Sequence, residues 1–332
     1  VTTPKLTPAT LTKRACSLCI VSLIATLASL PVRAGFIDEI IFFGDSLSDT
    51  GNVWYALDRA FPSAPYNQGS AGAGPDFTGG QWSDPLGPSW SSVFAGFYGL
   101  PATPSFVGGN NYAWGGARTG ANPGPDPTPW LDQQVGLYIA TGTLPSANTL
   151  ASLMIGGNDV ANNIGNPAAI NNGITSVTNS ILALYGRGIR NLLVATVPDV
   201  GVTPEFQVQP ETIRLLASEG TVAWNAALIA ALEDLVLPGA DIDVLDLFAL
   251  GKDDELLAGL DNTTDPCFTG LTICDDPASY FYWDSFHPSS TSHALIAAAA
   301  RDAVVTEPAG PALLFTGLVL MLLGSHRRAP GQ

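Results

Sequence analysis

Ser46 stands in a Gly44-Asp45-Ser46-Leu47 turn that directly follows the apolar run Ile40-Ile41-Phe42-Phe43. A serine at the end of a buried strand can be held with its hydroxyl exposed at the sheet edge, while the backbone N–H behind it is free to bind an oxyanion. That is acyl-transfer geometry, and it makes Ser46 the candidate nucleophile. Taken alone, the tetrapeptide also reads as a plain turn cluster. The G-x-S-x-G elbow is absent, because position 48 is Ser rather than Gly, so the scaffold is not that of the α/β-hydrolases.

Three further blocks follow in order. They are Asn111-Tyr112-Ala113-Trp114-Gly115-Gly116-Ala117, then Gly156-Gly157-Asn158-Asp159 after the apolar run Leu150 to Ile155, then Asp284-Ser285-Phe286-His287-Pro288. Together with Phe42 to Asn52, and with Val197-Pro198-Asp199-Val200-Gly201 between the last two, this order resembles the SGNH (GDSL) hydrolases from Ile37 to Val304. The resemblance implies a three-layer, flavodoxin-like α/β fold with a central parallel sheet flanked by helices. It implies esterase, lipase or phospholipase-like activity on an ester or lipid substrate, with no cofactor and no metal. Ser46, Asp284 and His287 take the catalytic positions. The oxyanion hole falls to the Ser46 N–H, a glycine N–H assigned to Gly115 in preference to Gly116, and the Asn158 side chain.

The chemistry needs these residue types. A serine hydroxyl is a poor nucleophile until a base takes its proton, and imidazole suits that task near neutral pH. His287 is that base. Asp284 can accept from the other ring nitrogen, fixing the tautomer and stabilising the imidazolium formed during attack. The competing histidine is His293, which Ser289, Ser290 and Thr291 place in the first turns of a helix as a packing or surface residue. His326 lies in the terminal tail. With three histidines and no H-E-x-x-H run, a zinc hydrolase is not expected.

Residues 1–34 read as a signal peptide: Lys5, Lys13 and Arg14 precede an apolar run from Cys16 to Leu30, and Val32-Arg33-Ala34 fits a cleavage site. An uncleaved membrane helix and a lipoprotein anchor at Cys19 are the alternatives. At the other end, Thr306-Glu307-Pro308 is followed by an apolar stretch through Gly324 and by His326-Arg327-Arg328. This resembles a PEP-CTERM sorting signal (residues 306–332) and implies an exosortase-like processing partner. Ala309 to Gly324 spans about 24 Å as helix against a hydrocarbon core of about 30 Å. Membrane contact is therefore transient or, alternatively, a tail anchor. Basic residues outside both apolar segments place the region between them on the exported side, in the periplasm, at the cell surface or outside the cell.

What remains, residues 35–305, is ample for one α/β domain. The net charge of −16 argues against nucleic acid and anionic membranes as partners, and for neutral or apolar esters. Cys267 and Cys274 are expected to pair in an oxidising compartment, stiffening the approach to the Asp284/His287 loop; two free buried thiols are the alternative. Apolar runs at Ile40 to Phe43, Leu150 to Ile155, Leu192 to Val197 and Ile242 to Phe248 alternate with helical periods. One carries Ile170, Ile174, Val177, Ile181 and Leu184 and ends at Gly186 and Gly188. The other carries Ile213, Leu216, Trp224, Leu228 and Leu235 between Pro210-Glu211 and Pro238-Gly239. Such alternation predicts a parallel sheet with Ser46 and Asn158 at its carboxyl edge. The segments Phe61 to Trp90 and Pro101 to Trp130 lack a period, and Trp54, Tyr55, Phe77, Trp82 and Trp114 are candidates for a substrate pocket. A surface or extracellular-matrix binding protein on the same fold is the competing reading, and an intact Ser46, Asp284 and His287 set argues against it.

Overall fold

Each of the four apolar runs forms a strand. In the computed structural model, which describes residues 36–69, 79–125 and 127–305, β1 (Glu39–Gly44), β2 (Thr149–Met154), β3 (Asn191–Ala195) and β4 (Asp241–Leu245) form one parallel sheet in that order. The expected signal (residues 1–34) and sorting (306–332) segments and Phe77 lie outside the described residues. Helices α1 (Trp90–Gly96), α2 (Leu131–Ala140), α3 (Gly157–Asn162), α4 (Pro167–Arg187), α5 (Glu211–Glu233) and α6 (Ser290–Val305) cover the sheet. A small parallel pair, β5 (Asn262–Pro266) and β6 (Tyr280–Tyr282), leads into α6.

Alternation along the strands divides the core between the two faces. Ile41, Phe43, Ala151, Leu153, Leu192 and Val194 pack with Leu131 of α2, Ile181 of α4 and Trp224 of α5. Ile40, Phe42, Leu150, Leu193 and Leu245 pack on the other face with Trp90 and Phe94 of α1 and Ile296 of α6. Both faces are covered, as a parallel sheet requires.

The free edge of β1 is closed by irregular chain. The Phe42 N–H donates to Asn110 O, the Tyr112 N–H to Phe42 O and the Trp114 N–H to Gly44 O. Residues 110–114 thus occupy the place of a further parallel strand, although they carry no strand periodicity. Their partners explain it: Asn52 Nδ2 bonds the Asn111 and Ala113 carbonyls, and Asn110 Nδ2 bonds Ile40 O.

Three element boundaries differ from those predicted. Gly188, at φ 117°, caps α4, whereas Gly186 lies inside it; Asn166 caps the start by accepting from the Ala168 and Ala169 N–H groups. The run from Ile242 ends as a strand at Leu245, because Asp246 accepts from the Ala249 N–H and opens a helical turn. Helix α5 stops at Glu233, ahead of Pro238. Its predicted face is buried at Trp224 and Leu228, but Ile213 and Leu216 are exposed. Those first turns rest on the 199–202 turn, through Ser218 to Asp199 and the Val200 N–H to Thr221, rather than on the sheet. By length and composition α5 could cross a membrane, yet Ala217, Thr221, Trp224, Leu228 and Leu232 bury its inner stripe in the core.

Gly173 of α4 shows which force decides at the α4–α5 crossing. Alanine is intrinsically the better helix former by about 1 kcal/mol, but a Cβ here would sit 2.4 Å from the buried Trp224 ring. Overpacking costs about 1–3 kcal/mol, so Gly173→Ala is expected to lower the melting temperature. A raised melting temperature, read by circular dichroism, would contradict this packing.

Candidate active site

Ser46 is presented by a strand end fixed from two directions. The Gln134 side chain of α2 bonds both peptide groups of Gly44, accepting from its N–H (2.9 Å) and donating to its carbonyl (2.8 Å). Only glycine fits at position 44, since a Cβ would lie 2.3 Å from Met154 O. The Ser48 and Asp49 N–H groups then turn back onto Asp45 O. The Ser46 N–H has no acceptor among the described residues, as an oxyanion donor requires.

His287 Nε2 lies 2.8 Å from Ser46 Oγ and its Nδ1 lies 2.7 Å from Asp284 Oδ2. Asp284 is nearly buried and fully hydrogen-bonded. Its Oδ1 accepts from the Phe286 (2.7 Å) and His287 (2.6 Å) N–H groups, and its Oδ2 also accepts from Tyr66 Oη at 2.6 Å. Burial opposes the charged form, but the facing His287 charge and these hydrogen bonds outweigh it, and the carboxyl is held well below the usual range. The Trp82 ring lies tilted over the His287 ring, centroids 4.8 Å apart.

His293 does not face Ser46. It is fully buried, accepts from the Trp90 N–H at Nδ1 and meets Trp82 O at Nε2, so it ties the start of α1 to the Trp82 loop as a packing residue. Burial pushes its pKa down to about 4, keeping it neutral. Ser289 caps α6 through the Ser292 N–H.

The second block needs a correction of one residue. The Gly115 N–H, expected to point into the oxyanion site, is donated to Asp49 Oδ2 at 3.0 Å, and a Cβ on Gly115 would meet the Trp82 ring at 2.7 Å. Gly115 is therefore a packing glycine with its donor occupied. The N–H of Gly116, where φ is +78°, has no acceptor among the described residues. Asn158, at the start of α3 just past β2, donates one side-chain N–H to Ala117 O at 3.0 Å, leaving the other with no acceptor among the described residues. Blocks two and three thus flank Ser46 because residues 110–114 and β2 flank β1.

Other acidic groups beneath the site respond differently to burial. Asp49 accepts from the Gly51, Asn52, Val53 and Gly115 N–H groups, yet burial still lifts its pKa to about 6. Asp159 is also raised by burial, against its bonds from Thr119. The Asp45 side chain accepts from the Leu47 N–H, and burial pushes it up to about 7. Among the described residues no group of three or more His, Cys, Asp or Glu is placed to hold a metal ion.

Cys267 and Cys274 form a disulfide. The Cys267 N–H donates to Tyr282 O and the Phe268 N–H to Trp283 O, so the bridged loop braces the chain entering Asp284. Of the aromatic candidates, Trp82 covers His287 and Trp114 packs against Phe106. Trp54 instead packs with Tyr55 and against Gly80. Tyr66 and Gln134 lack any signal in the sequence, being 218 and 90 residues from the groups they hold.

Ser46, His287 and Asp284 are hydrogen-bonded in series at the carboxyl edge of a parallel sheet, an arrangement able to make a serine hydroxyl nucleophilic. The family model GDSL-like Lipase/Acylhydrolase matches residues 40–300. The chain belongs to that family. It is 27% identical over 294 residues to the thermolabile hemolysin of Vibrio parahaemolyticus, covering 79% of this chain and 62% of that protein. It is 26% identical over 307 residues to a GDSL esterase/lipase of Arabidopsis thaliana, covering 76% and 84%. The acetylxylan esterase Axe2 of Geobacillus stearothermophilus aligns over 82% of this chain and 97% of its own, at 16% identity and TM-score 0.41.

The Asp45 shift has a definite sign. Its folded pKa of about 7 exceeds the ordinary 3.8, so its contribution to stability is fully present below the lower value and is lost as pH rises through the higher one. Asp45→Asn keeps an acceptor for Leu47 and removes the titration. The melting temperature of the variant relative to wild type is expected to climb between pH ~4 and ~7.5. A difference that stays flat with pH would contradict a proton-holding Asp45.

Proposed function

We propose that this protein is a serine esterase that cleaves carboxylic esters through an acyl-Ser46 intermediate. The observation that carries the reading is the continuous series from Ser46 Oγ through His287 to Asp284, with links of 2.8 and 2.7 Å. His287 Nε2 takes the Ser46 proton as Oγ attacks the ester carbonyl, and Asp284 stabilises the imidazolium. The oxyanion is received by the Ser46 N–H, the Gly116 N–H and the free side-chain N–H of Asn158. His287 then protonates the leaving alkoxide, and water repeats the sequence to release the acid and restore Ser46.

The relatives' names of esterase and lipase support neutral esters, lipids included, as substrates, and a net charge of −16 favours uncharged ones. The Cys267–Cys274 bridge supports an oxidising, exported location. The Glu307-Pro308 tail and Arg327-Arg328 support processing by an exosortase-like enzyme with transient membrane contact.

With a short-chain chromogenic ester, Ser46→Ala and His287→Ala are expected to lose nearly all turnover while keeping the wild-type circular dichroism spectrum. Substantial turnover by either folded variant would reject the mechanism. Asn158→Ala is expected to lower kcat about 10²- to 10³-fold, the loss typical of one oxyanion donor. An effect on KM alone would assign Asn158 to substrate binding instead.

A further inference from the structure

We infer that Tyr66 is a positioning residue that sets the basicity of the Asp284–His287 pair, an assignment that rests on the acyl-Ser46 mechanism above. Its hydroxyl lies 2.6 Å from Asp284 Oδ2, the same oxygen that holds His287 Nδ1 at 2.7 Å. An ionised carboxylate only accepts, so the phenol donates. Burial first, and then the Asp284 charge, push the Tyr66 pKa far above its ordinary value, so the donor persists across the working pH range.

Two donors on one oxygen compete for its charge. A carboxylate holding a phenolic hydrogen bond is a weaker base, and it orients the imidazole without drawing off the Nδ1 proton. With the backbone N–H groups of Phe286 and His287 on Oδ1, Tyr66 completes a set of four hydrogen bonds around Asp284. Tyr66 comes from a loop remote from Asp284 in sequence. It is fixed by its neighbour Asn67, whose N–H donates to Ser83 O and whose carbonyl accepts from the Gly80 and Gln81 N–H groups. Its ring is seated edge-on against Trp82, Phe268 and Trp283 at 5.8, 5.9 and 6.3 Å. Those apolar contacts hold the ring, and the hydroxyl is what Asp284 receives.

Tyr66→Phe keeps the ring and deletes the donor. The carboxylate then becomes more basic and strengthens its hold on the His287 proton. The acidic limb of the kcat/KM profile is expected to move up by about half a pH unit or more, with kcat down about tenfold and KM little changed. Fluorotyrosine incorporated at position 66 is a stronger donor, and it is expected to move the limb down. It keeps the hydroxyl, so it gives the answer even where Tyr66→Phe fails to fold. Limbs that coincide with wild type in the folded variants, or that both shift the same way, would overturn the assignment and leave Tyr66 as packing. His287→Ala is assayed alongside: if it retains turnover, the mechanism itself has failed, whereas an inactive His287→Ala with unmoved limbs rejects Tyr66 alone.

Discussion

Backbone pairing on both edges of β1 is the constraint from which the site follows. Ser46 sits just beyond this strand, β2 lies along one edge, and residues 110–114 lie along the other. Asn158 leaves the end of β2, and Gly116 leaves the end of the 110–114 segment, so the proposed donors converge on Ser46 from opposite sides. The lateral spacing of neighbouring strands, about 4.8 Å, sets the scale of that convergence. Asn52, Asn111 and Asp49 reinforce it by bonding the first block to the second: Asn111 Nδ2 to Ser48 O, Asn52 Nδ2 to Asn111 O and Ala113 O, and the Gly115 N–H to Asp49.

The proposed acid and base arrive by another route. Asp284 and His287 lie on the loop between β6 and α6, outside the main sheet. That loop is held by the Trp283 N–H to His287 O, by the disulfide-bridged loop beside it, and by Asp84, which binds the N–H and hydroxyl of Ser290 at the start of α6. Buried carboxylates at the site differ because their compensation differs. Asp284 faces an imidazole able to carry charge and accepts hydrogen bonds on both oxygens, so the ionised form is favoured. Asp45 is equally removed from water but its side chain holds only local backbone donors, the Leu47 N–H foremost, and faces no paired imidazole, so desolvation prevails.

The order Ser, Gly, Asn, Asp, His made the catalytic blocks legible in the sequence, the first and third directly after apolar runs and the last just before a helix. The strands were legible for the same reason: Ile40 to Phe43 and Leu150 to Ile155 are buried on both faces and read as continuous apolar runs. Choosing between Gly115 and Gly116 required knowing where each N–H points, which adjacent glycines do not reveal. Residues 110–114 were illegible as a strand because side-chain amides fix their pairing. The exposure of Ile213 and Leu216 was hidden because a helical stripe does not say how far the helix extends past the sheet. Tyr66 and Gln134 act across long sequence separations from segments chosen by tertiary contact, and local pattern carries no trace of such partners.

The account's central claim is that Ser46 alone, among many serines, is made nucleophilic by its neighbours. The most direct measurement is treatment of the folded protein with a fluorophosphonate, followed by peptide mapping by mass spectrometry. One adduct is predicted, on Ser46, absent from the His287→Ala protein because the base that removes the hydroxyl proton is gone. An adduct on another serine, or undiminished labelling of Ser46 without His287, would contradict the account.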